Sequence, residues 1–169
     1  MNSSPAVFIG LGSNVGEREG ALARARALLR QRGFEEDATS SLYLTEPVGG
    51  PPQDWFLNQV LGGRTALSPE ELLRACLQVE AEMGRRRSRR NAPRTIDVDV
   101  LLHGDEVRDG PELAVPHPRL HERRFVLVPL VQIAPQARHP VLGATAQELL
   151  RRCTDRSEVR LFRPLPVAR

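Results

Sequence analysis

Two aspartates separated by one residue, Asp97 and Asp99, lie inside the apolar segment TIDVDVLL. Residues two apart in a β-strand project from the same face at a separation of about 6–7 Å, so these carboxylates would project together. At an effective dielectric constant of about 20 they repel by about 2–3 kcal/mol, and a nearby cation would remove that cost. Mg²⁺ fits such a pair, because it combines one or two carboxylates with water and substrate phosphates. The alternative is a solvated strand face with salt bridges to arginine.

Six arginines directly precede this pair in the segment GRRRSRRNAPR: Arg85, Arg86, Arg87, Arg89, Arg90 and Arg94. The planar guanidinium fork matches phosphate oxygens, and several forks beside a metal-binding carboxylate pair suit phosphoryl transfer. The alternatives are an exposed basic loop or a contact to a nucleic-acid backbone. The nucleic-acid alternative leaves the two aspartates unexplained, because without a metal they would repel a polyanion.

Glu80 shares a predicted helical stripe with four apolar residues, which are Leu73, Cys76, Leu77 and Met83. A carboxylate on a core-facing stripe costs free energy unless it is paired or hydrogen-bonded. Glu80 could accept from a buried amino group, such as that of a nucleotide base, or it could pair with an arginine. Spacing alone favours neither partner.

Three further features carry weaker signals. Phe56 and Asn58 share one face of a predicted strand. The ring could stack on a flat heterocycle while the amide hydrogen-bonds to its edge, or the two could be an ordinary core residue and a polar residue at the rim of the core. His117 lies between two prolines, in either a phosphate-binding loop or an ordinary surface loop. The segment GLGSNVG, residues 10–16, has the spacing GxGxxxG and favours a tight turn over a dinucleotide-binding loop.

The composition limits the function classes. The 169 residues suit a single domain, residues 1–169, and 40% of them are hydrophobic. All 24 basic residues are arginine, which excludes a Walker-type phosphate loop and a Schiff-base lysine. The formal charge of +3 is modest. Cys76 and Cys153 have no metal-ligand spacing and are expected to be free thiols in a reducing compartment. We expect a cytoplasmic protein without membrane spans.

The pattern of elements favours an α+β fold with a largely antiparallel sheet, because predicted strands often follow one another directly. Strands are expected at residues 6–11, 39–45, 56–67, 95–102, 106–108 and 158–162. Helices are expected at residues 17–32, 69–83, 122–133 and from 145 to about 153. Ser68 with Glu71 and Thr145 with Glu148 form two capping boxes.

Taken together, these segments resemble the 6-hydroxymethyl-7,8-dihydropterin pyrophosphokinase family of folate biosynthesis. The matching pieces are GLGSNVGER (10–18), YLTEPVG (43–49), FLNQV (56–60), EAEMGRRR (80–87), APRTIDVDVLLHG (92–104) and VPHPRLHERRFVLVPLVQIAP (115–135). They span most of the chain in family order, which makes the resemblance highly specific. It implies a ferredoxin-like α+β fold, with helices on both faces of the sheet in three layers.

The resemblance also implies an activity and its residues. Pyrophosphate would pass from ATP to the pterin hydroxymethyl group, releasing AMP, with two Mg²⁺ ions held by Asp97 and Asp99. Arg85 and Arg94 would be catalytic. The implied ATP contacts are Glu80, Arg87, Arg94, Ile96, His117 and Arg123. The implied pterin contacts are Thr45, Val48, Phe56, Asn58 and Phe125, with two aromatic rings sandwiching the pterin.

The sequence departs from the family at residues 91–92, where Asn-Ala stands in place of the Trp-Gly of some members. The alternatives are another Mg-dependent nucleotidyl or phosphoryl transferase and, from a different class, a basic nucleic-acid-binding module. We expect ATP and the pterin to be the partners of a monomer that binds neither nucleic acid nor membrane.

Overall fold

The computed structural model describes residues 6–49, 52–84 and 96–163 of the chain. The strands in this part of the chain are β1 (Ala6–Ser13), β2 (Glu35–Thr39), β3 (Leu42–Thr45), β4 (Phe56–Arg64), β5 (Asp97–His103), β6 (Arg108–Asp109), β7 (Ala114–Val115) and β8 (Val159–Arg163). The helices are α1 (Arg18–Gln31), α2 (Pro69–Glu82), α3 (Arg124–Ile133) and α4 (Ala146–Arg152), with a 3₁₀ turn at Leu120–Glu122.

The main sheet has the order β5-β1-β4-β3-β8, and β2 also pairs with β4. Every pairing within it is antiparallel. Strands β6 and β7 form a separate short hairpin. The prediction of an α+β fold with a largely antiparallel sheet is therefore confirmed.

Apolar side chains alternate along β1 and supply a core on each face of the sheet. Val7, Ile9 and Leu11 point into a cluster that includes buried residues of α1 and α2. Phe8 points the other way, against a cluster that includes buried residues of α3 and α4. Helices thus cover both faces, as the ferredoxin-like fold requires.

Local sequence signals place the ends of several helices. Ser68 and Glu71 form a reciprocal capping box at the start of α2, and Thr145 and Glu148 do the same at α4. Gly33 follows α1 with a φ of 100°, in the left-handed region that favours glycine after a helix. The predicted caps and the predicted helix ends agree with the structure here.

The strand predicted over residues 39–45 is shorter in the structure: β3 begins at Leu42, after a break at Ser40 and Ser41, and a separate strand, β2, ends at Thr39. The backbone N–H of Ser40 donates to the carbonyl oxygen of Val60, and the Ser40 hydroxyl accepts from the N–H of Val60. The side chain of Gln132 accepts from the N–H of Ser41. Side chains therefore replace part of the strand ladder at the break.

Other boundaries differ by a few residues. Strand β4 ends at Arg64, short of the predicted residue 67, and β6 begins at Arg108 instead of at residue 106. The helix predicted over residues 122–133 is a 3₁₀ turn followed by α3, which contains the buried Pro129. The peptide bond between Val115 and Pro116 is cis.

Candidate active site

A strip of β1 without side chains forms the floor of the candidate site. Gly12 pairs with Asn58 of β4 on one side and with Asp97 of β5 on the other. Gly10 pairs in the same way with Val60 and Asp99. Directly paired residues share a face, and neighbouring strands lie about 4.7–4.9 Å apart, so a groove about 10 Å wide separates β4 side chains from the β5 carboxylates.

The close approach of Asn58 requires glycine at residue 12. A Cβ atom at residue 12 would lie 2.6 Å from Oδ1 of Asn58, whereas one at Gly10 would meet Leu101 at an ordinary 3.4 Å. Any side chain at residue 12 would therefore displace the Asn58 amide.

The two aspartates project from one face of β5, as their spacing predicts. Ile96, Val98 and Val100 point the opposite way and are buried, while both aspartates are partly exposed. Burial, the Asp97 carboxylate and the Glu80 carboxylate together raise the pKa of Asp99 to about 8. The site therefore concentrates negative charge that a cation would stabilise.

Glu80 uses its carboxylate to satisfy the backbone of β5. Its Oε2 accepts from the N–H of Val98 at 2.9 Å, and the residue is only 3% exposed. Among the described strands β5 is at the edge of the sheet, so none of them pairs with this N–H on its outer side. The predicted stripe is partly wrong, because Leu77 is 39% exposed while Leu72 and Val79 are buried.

His117 and Arg123 bring positive and donor groups to the carboxylates. Burial, followed by the charge of Arg123, lowers the pKa of His117 to about 4. Its Nδ1 accepts from the backbone N–H of Arg119, so the neutral ring carries its proton on Nε2. Arg123 in turn favours the ionised form of Asp99.

Three of the five predicted pterin residues lie on adjoining strands. Thr45 pairs with Phe56 across β3 and β4, and its hydroxyl accepts from Nδ2 of Asn58 at 2.6 Å. This bond leaves Oδ1 of Asn58 over the glycine floor. Phe125 comes from the first turn of α3, and the guanidinium of Arg123 lies 5.5 Å from its ring centroid. Val48 is 46% exposed, in the loop after β3.

Sequence reasoning missed two residues that hold this loop. Nδ2 of Asn14 donates to the side chain of Gln53 and to the carbonyl oxygen of Asp54. Arg18 donates to the carbonyl oxygen of Trp55. The segment of residues 10–16 is therefore the end of a strand and a turn that supports the loop. The available signal in the sequence was Asn14, a polar residue that the structure shows to be buried.

Several predicted site residues are placed differently or lie outside the described residues. Ile96 has a fully buried side chain, so only its main chain could face a ligand. Arg85, Arg87 and Arg94, and residues 91–92, fall in the range 85–95, which the structure does not describe. Within residues 6–49, 52–84 and 96–163, no three potential metal-ligand side chains converge.

Paired carboxylates opposite a wall that carries an amide and an aromatic ring are an arrangement suited to phosphoryl transfer to a flat heterocycle. Residues 8–135 match the family described as 7,8-dihydro-6-hydroxymethylpterin-pyrophosphokinase (HPPK). The chain belongs to this family, whose members transfer pyrophosphate to hydroxymethyldihydropterin in folate biosynthesis.

Individual relatives agree with this assignment. The chain is 44% identical over 157 residues to the 2-amino-4-hydroxy-6-hydroxymethyldihydropteridine pyrophosphokinase of Bacillus subtilis, covering 92% of this chain and 94% of the relative. It is 42% identical over 142 residues to the enzyme of the same name from Aquifex aeolicus, covering 84% and 88%.

Solved structures support the fold. The wild-type HPPK-DHPS of Plasmodium falciparum matches with a TM-score of 0.68 and 14% identity over 90% of this chain. The chain spans 45% of that structure's length, so the likeness concerns the fold of one part of it. None of the described helices is long and apolar enough to cross a membrane.

Proposed function

We propose that the groove above Gly10 and Gly12 is where pyrophosphate passes from ATP to the hydroxymethyl oxygen of 6-hydroxymethyl-7,8-dihydropterin. The oxygen attacks the β-phosphorus and the bond to the α-phosphate oxygen breaks, so the products are the pterin diphosphate, AMP and a proton. The register that sets Asn58 and Asp97 on opposite sides of Gly12 carries the proposal, because it separates a ring-binding wall from a phosphate-binding wall.

Asp97 and Asp99 would hold two Mg²⁺ ions. Their carboxylates are hard oxygen donors, and the pKa of Asp99 is raised first by burial and then by the neighbouring Asp97 and Glu80 carboxylates, a cost that a bound cation would offset. When bound, the ions supply positive charge to the triphosphate and help to align it. Arg123 and the Nε2–H of His117 would donate to phosphate oxygens.

The arginines preceding β5 would complete the phosphate site. Arg85 and Arg94 stabilise the transferred group, and Arg87 supports the nucleotide. Glu80 would approach adenine only with the carboxylate that already accepts from Val98, and Ile96 would contribute its main chain.

Arg94→Ala tests the assignment of Arg94. We expect this variant to lower turnover more than it weakens ATP binding, because a guanidinium that acts on the transferred group matters most in the transition state. Steady-state kinetics and titration with an ATP analogue would measure the two effects. Weaker ATP binding with unchanged turnover would instead assign Arg94 to ground-state binding.

Thr45, Val48, Phe56, Asn58 and Phe125 would bind the pterin. Because the Asn58 amide is oriented by Thr45, its Oδ1 is available to accept from a ring N–H or amino group. Phe56 and Phe125 come from different elements and would stack on the two faces of the ring.

An AMP-release assay tests the function directly. AMP should form only when 6-hydroxymethyl-7,8-dihydropterin, ATP and Mg²⁺ are all present, and unrelated alcohols should not replace the pterin. Equal AMP release with a simple alcohol would point to a less specific transferase. Steep salt-dependent binding of nucleic acid, with Asp97 and Asp99 dispensable, would point to a binding module.

We further propose that residues 1–169 form one pyrophosphokinase domain that acts as a cytoplasmic monomer. Its partners would be ATP and the pterin, with neither nucleic acid nor a membrane involved. The support is that both substrates of the family reaction are small molecules.

A further inference from the structure

We infer that residues 155–160 position the pterin-binding wall, because they contact each of the three segments that carry its residues. We call residues 155–160 the strap. They lie beyond the family match, which ends at residue 135. The inference rests on the proposed function, since the pterin contacts are themselves proposals.

The first contact caps α3. The N-cap residue of α3, Arg123, makes no side-chain cap of its own. Instead Oδ2 of Asp155 accepts from the N–H of Arg124 at 3.0 Å, while its Oδ1 accepts from the N–H of Ser157. A carboxylate at a helix N-terminus satisfies a free N–H and interacts favourably with the helix dipole. Asp155 therefore fixes the helix turn that presents Phe125.

The second contact holds the start of the loop after β3. The N–H of Glu46 donates to the carbonyl oxygen of Glu158 at 3.1 Å. The N–H of Glu158 donates back to Oε1 of Glu46 at 2.8 Å. Thr45 pairs with Val159 directly beside these bonds. The backbone that carries Thr45 and leads to Val48 is thus tied to the strap.

The third contact holds the end of the same loop. The guanidinium carbon of Arg160 lies 5.2 Å from the ring centroid of Trp55, within the range of a cation–π interaction. Trp55 immediately precedes Phe56, whose side chain the proposed function places against the pterin. Movement of the Trp55 ring would therefore be transmitted to the start of β4.

These contacts make Arg160 a positioning residue for the pterin and not for ATP. Replacing it by alanine removes the cation from Trp55 and the ion pair of Arg160 with the Glu158 carboxylate, but leaves the backbone bonds of the strap. Arg163 offers a matched control, because it lies on the same strand, is also exposed and pairs with Glu19 of α1. The same change there removes a guanidinium without touching the loop contacts described above.

The experiment compares Arg160→Ala, Arg160→Lys and Arg163→Ala in the full chain. We expect Arg160→Ala to raise the KM for the pterin by about three- to tenfold, while the KM for ATP changes by less than about twofold. Arg160→Lys should recover part of the loss, and Arg163→Ala should match the wild type. Trp55 is the only tryptophan, so its fluorescence reports this loop alone. Arg160→Ala should shift that emission before any substrate is added.

Asp155→Asn tests the first contact separately. Asparagine keeps one acceptor but loses the charge at α3, so the KM for the pterin should rise with little change in the KM for ATP. Equal increases for both substrates would show a general structural role and overturn the inference. Kinetics of Arg160→Ala identical to those of Arg163→Ala would also overturn it. Absence of pterin-dependent AMP release in the wild type would overturn the proposed function and the inference together.

Discussion

At the scale of single residues, the site maintains a charge arrangement that is unfavourable for the empty protein. Glu80, Asp97 and Asp99 come from two elements, and the first two hold the pKa of Asp99 above its usual value in addition to the effect of burial. Such repulsion is expected at a ligand-binding site, where groups arranged to bind a cation lower the stability of the protein without it.

The variant Asp99→Asn separates the effect of this carboxyl on activity from its effect on stability. We expect AMP release to fall by at least about 100-fold, because the change removes a carboxylate from the proposed magnesium site. The melting temperature at pH 7 should rise by about 2–4 °C, equivalent to about 1 kcal/mol. A carboxyl whose folded pKa is raised above its unfolded value costs stability at every pH above the unfolded value, and the amide carries no such cost. The assay and a thermal melt without divalent cations measure the two effects. Near-normal AMP release by this variant would show that Asp99 is not part of the catalytic site.

Gly12→Ala tests the glycine floor. The added methyl group would lie 2.6 Å from Oδ1 of Asn58, so the amide must move away from the groove. We expect the KM for the pterin to rise about tenfold, as for the loss of one hydrogen bond. Gly10→Ala places the same group in ordinary contact with Leu101 and should have a smaller effect. Equal effects of both variants would show that the Asn58 contact is unimportant.

At the scale of elements, β2 is held in part by the ion pair of Glu36 with Arg26 of α1 and by a close approach to β4. Arg26 of α1 donates two hydrogen bonds to the Glu36 carboxylate, and Thr39 donates a third. A Cβ at Gly63 would lie only 2.1 Å from the carbonyl oxygen of Glu35, so β2 reaches β4 because residue 63 is glycine. Gly63 therefore permits the pairing of β2 with β4.

The ion pair predicts a pH dependence of stability. Burial opposes ionisation of Glu36, but the bonds from Arg26 and Thr39 outweigh it and lower its pKa. A lowered carboxyl pKa stabilises the fold above the unfolded value of about 4.3, and this contribution is lost as the pH falls through the folded value.

Glu36→Gln should therefore lower the free energy of unfolding by about 1–3 kcal/mol at pH 7 and by less in acid. Urea unfolding at pH 7 and near pH 3 would measure the difference. Glu35→Gln, at the exposed neighbouring residue, should change stability by less than about 0.5 kcal/mol at either pH. An equal loss for Glu36→Gln at both values would assign its effect to packing.

Local signals predict most elements, but tertiary contacts decide the rest. The ends of α2 follow from Ser68, Glu71 and Gly84, whose effects act within a few residues. Strand β2 was missed because EEDAT has no apolar alternation, and its pairing depends on Gly63, which is distant in sequence.

The site shows the same division between local and distant information. The common face of Asp97 and Asp99 follows from strand geometry and is confirmed. The partner of Glu80 could not be predicted, because it is a backbone N–H exposed only by the position of β5 at the sheet edge. The roles of Asn14 and Asp155 also depend on contacts with residues at least 31 positions away.

At the scale of the whole molecule, the fold places side chains of β3, β4 and β5 beside a floor of glycines that carries no side chains. Strand β1 lies between β4 and β5, and its glycines let both neighbours present polar groups to one groove. The carboxyl groups of Asp97 and Asp99 lie together on the β5 side, where burial and mutual repulsion make ionisation of both unfavourable without a cation. Binding of a cation together with an anionic nucleotide should therefore stabilise the entire fold, since the chain gains that free energy only when folded.

A thermal-shift experiment tests this linkage. At a concentration about 100 times its Kd, a non-hydrolysable ATP analogue with Mg²⁺ should add about 2.7 kcal/mol, or about 5–11 °C in melting temperature. Chelation of Mg²⁺ by EDTA should remove most of the shift. Asp97→Ala should show little difference between Mg²⁺ and EDTA, whereas Asp105→Ala, at an exposed acidic residue in the turn after β5, should behave as the wild type. A shift that persists in EDTA would mean that the nucleotide binds through the cationic side chains alone, and the two carboxylates would then need another role.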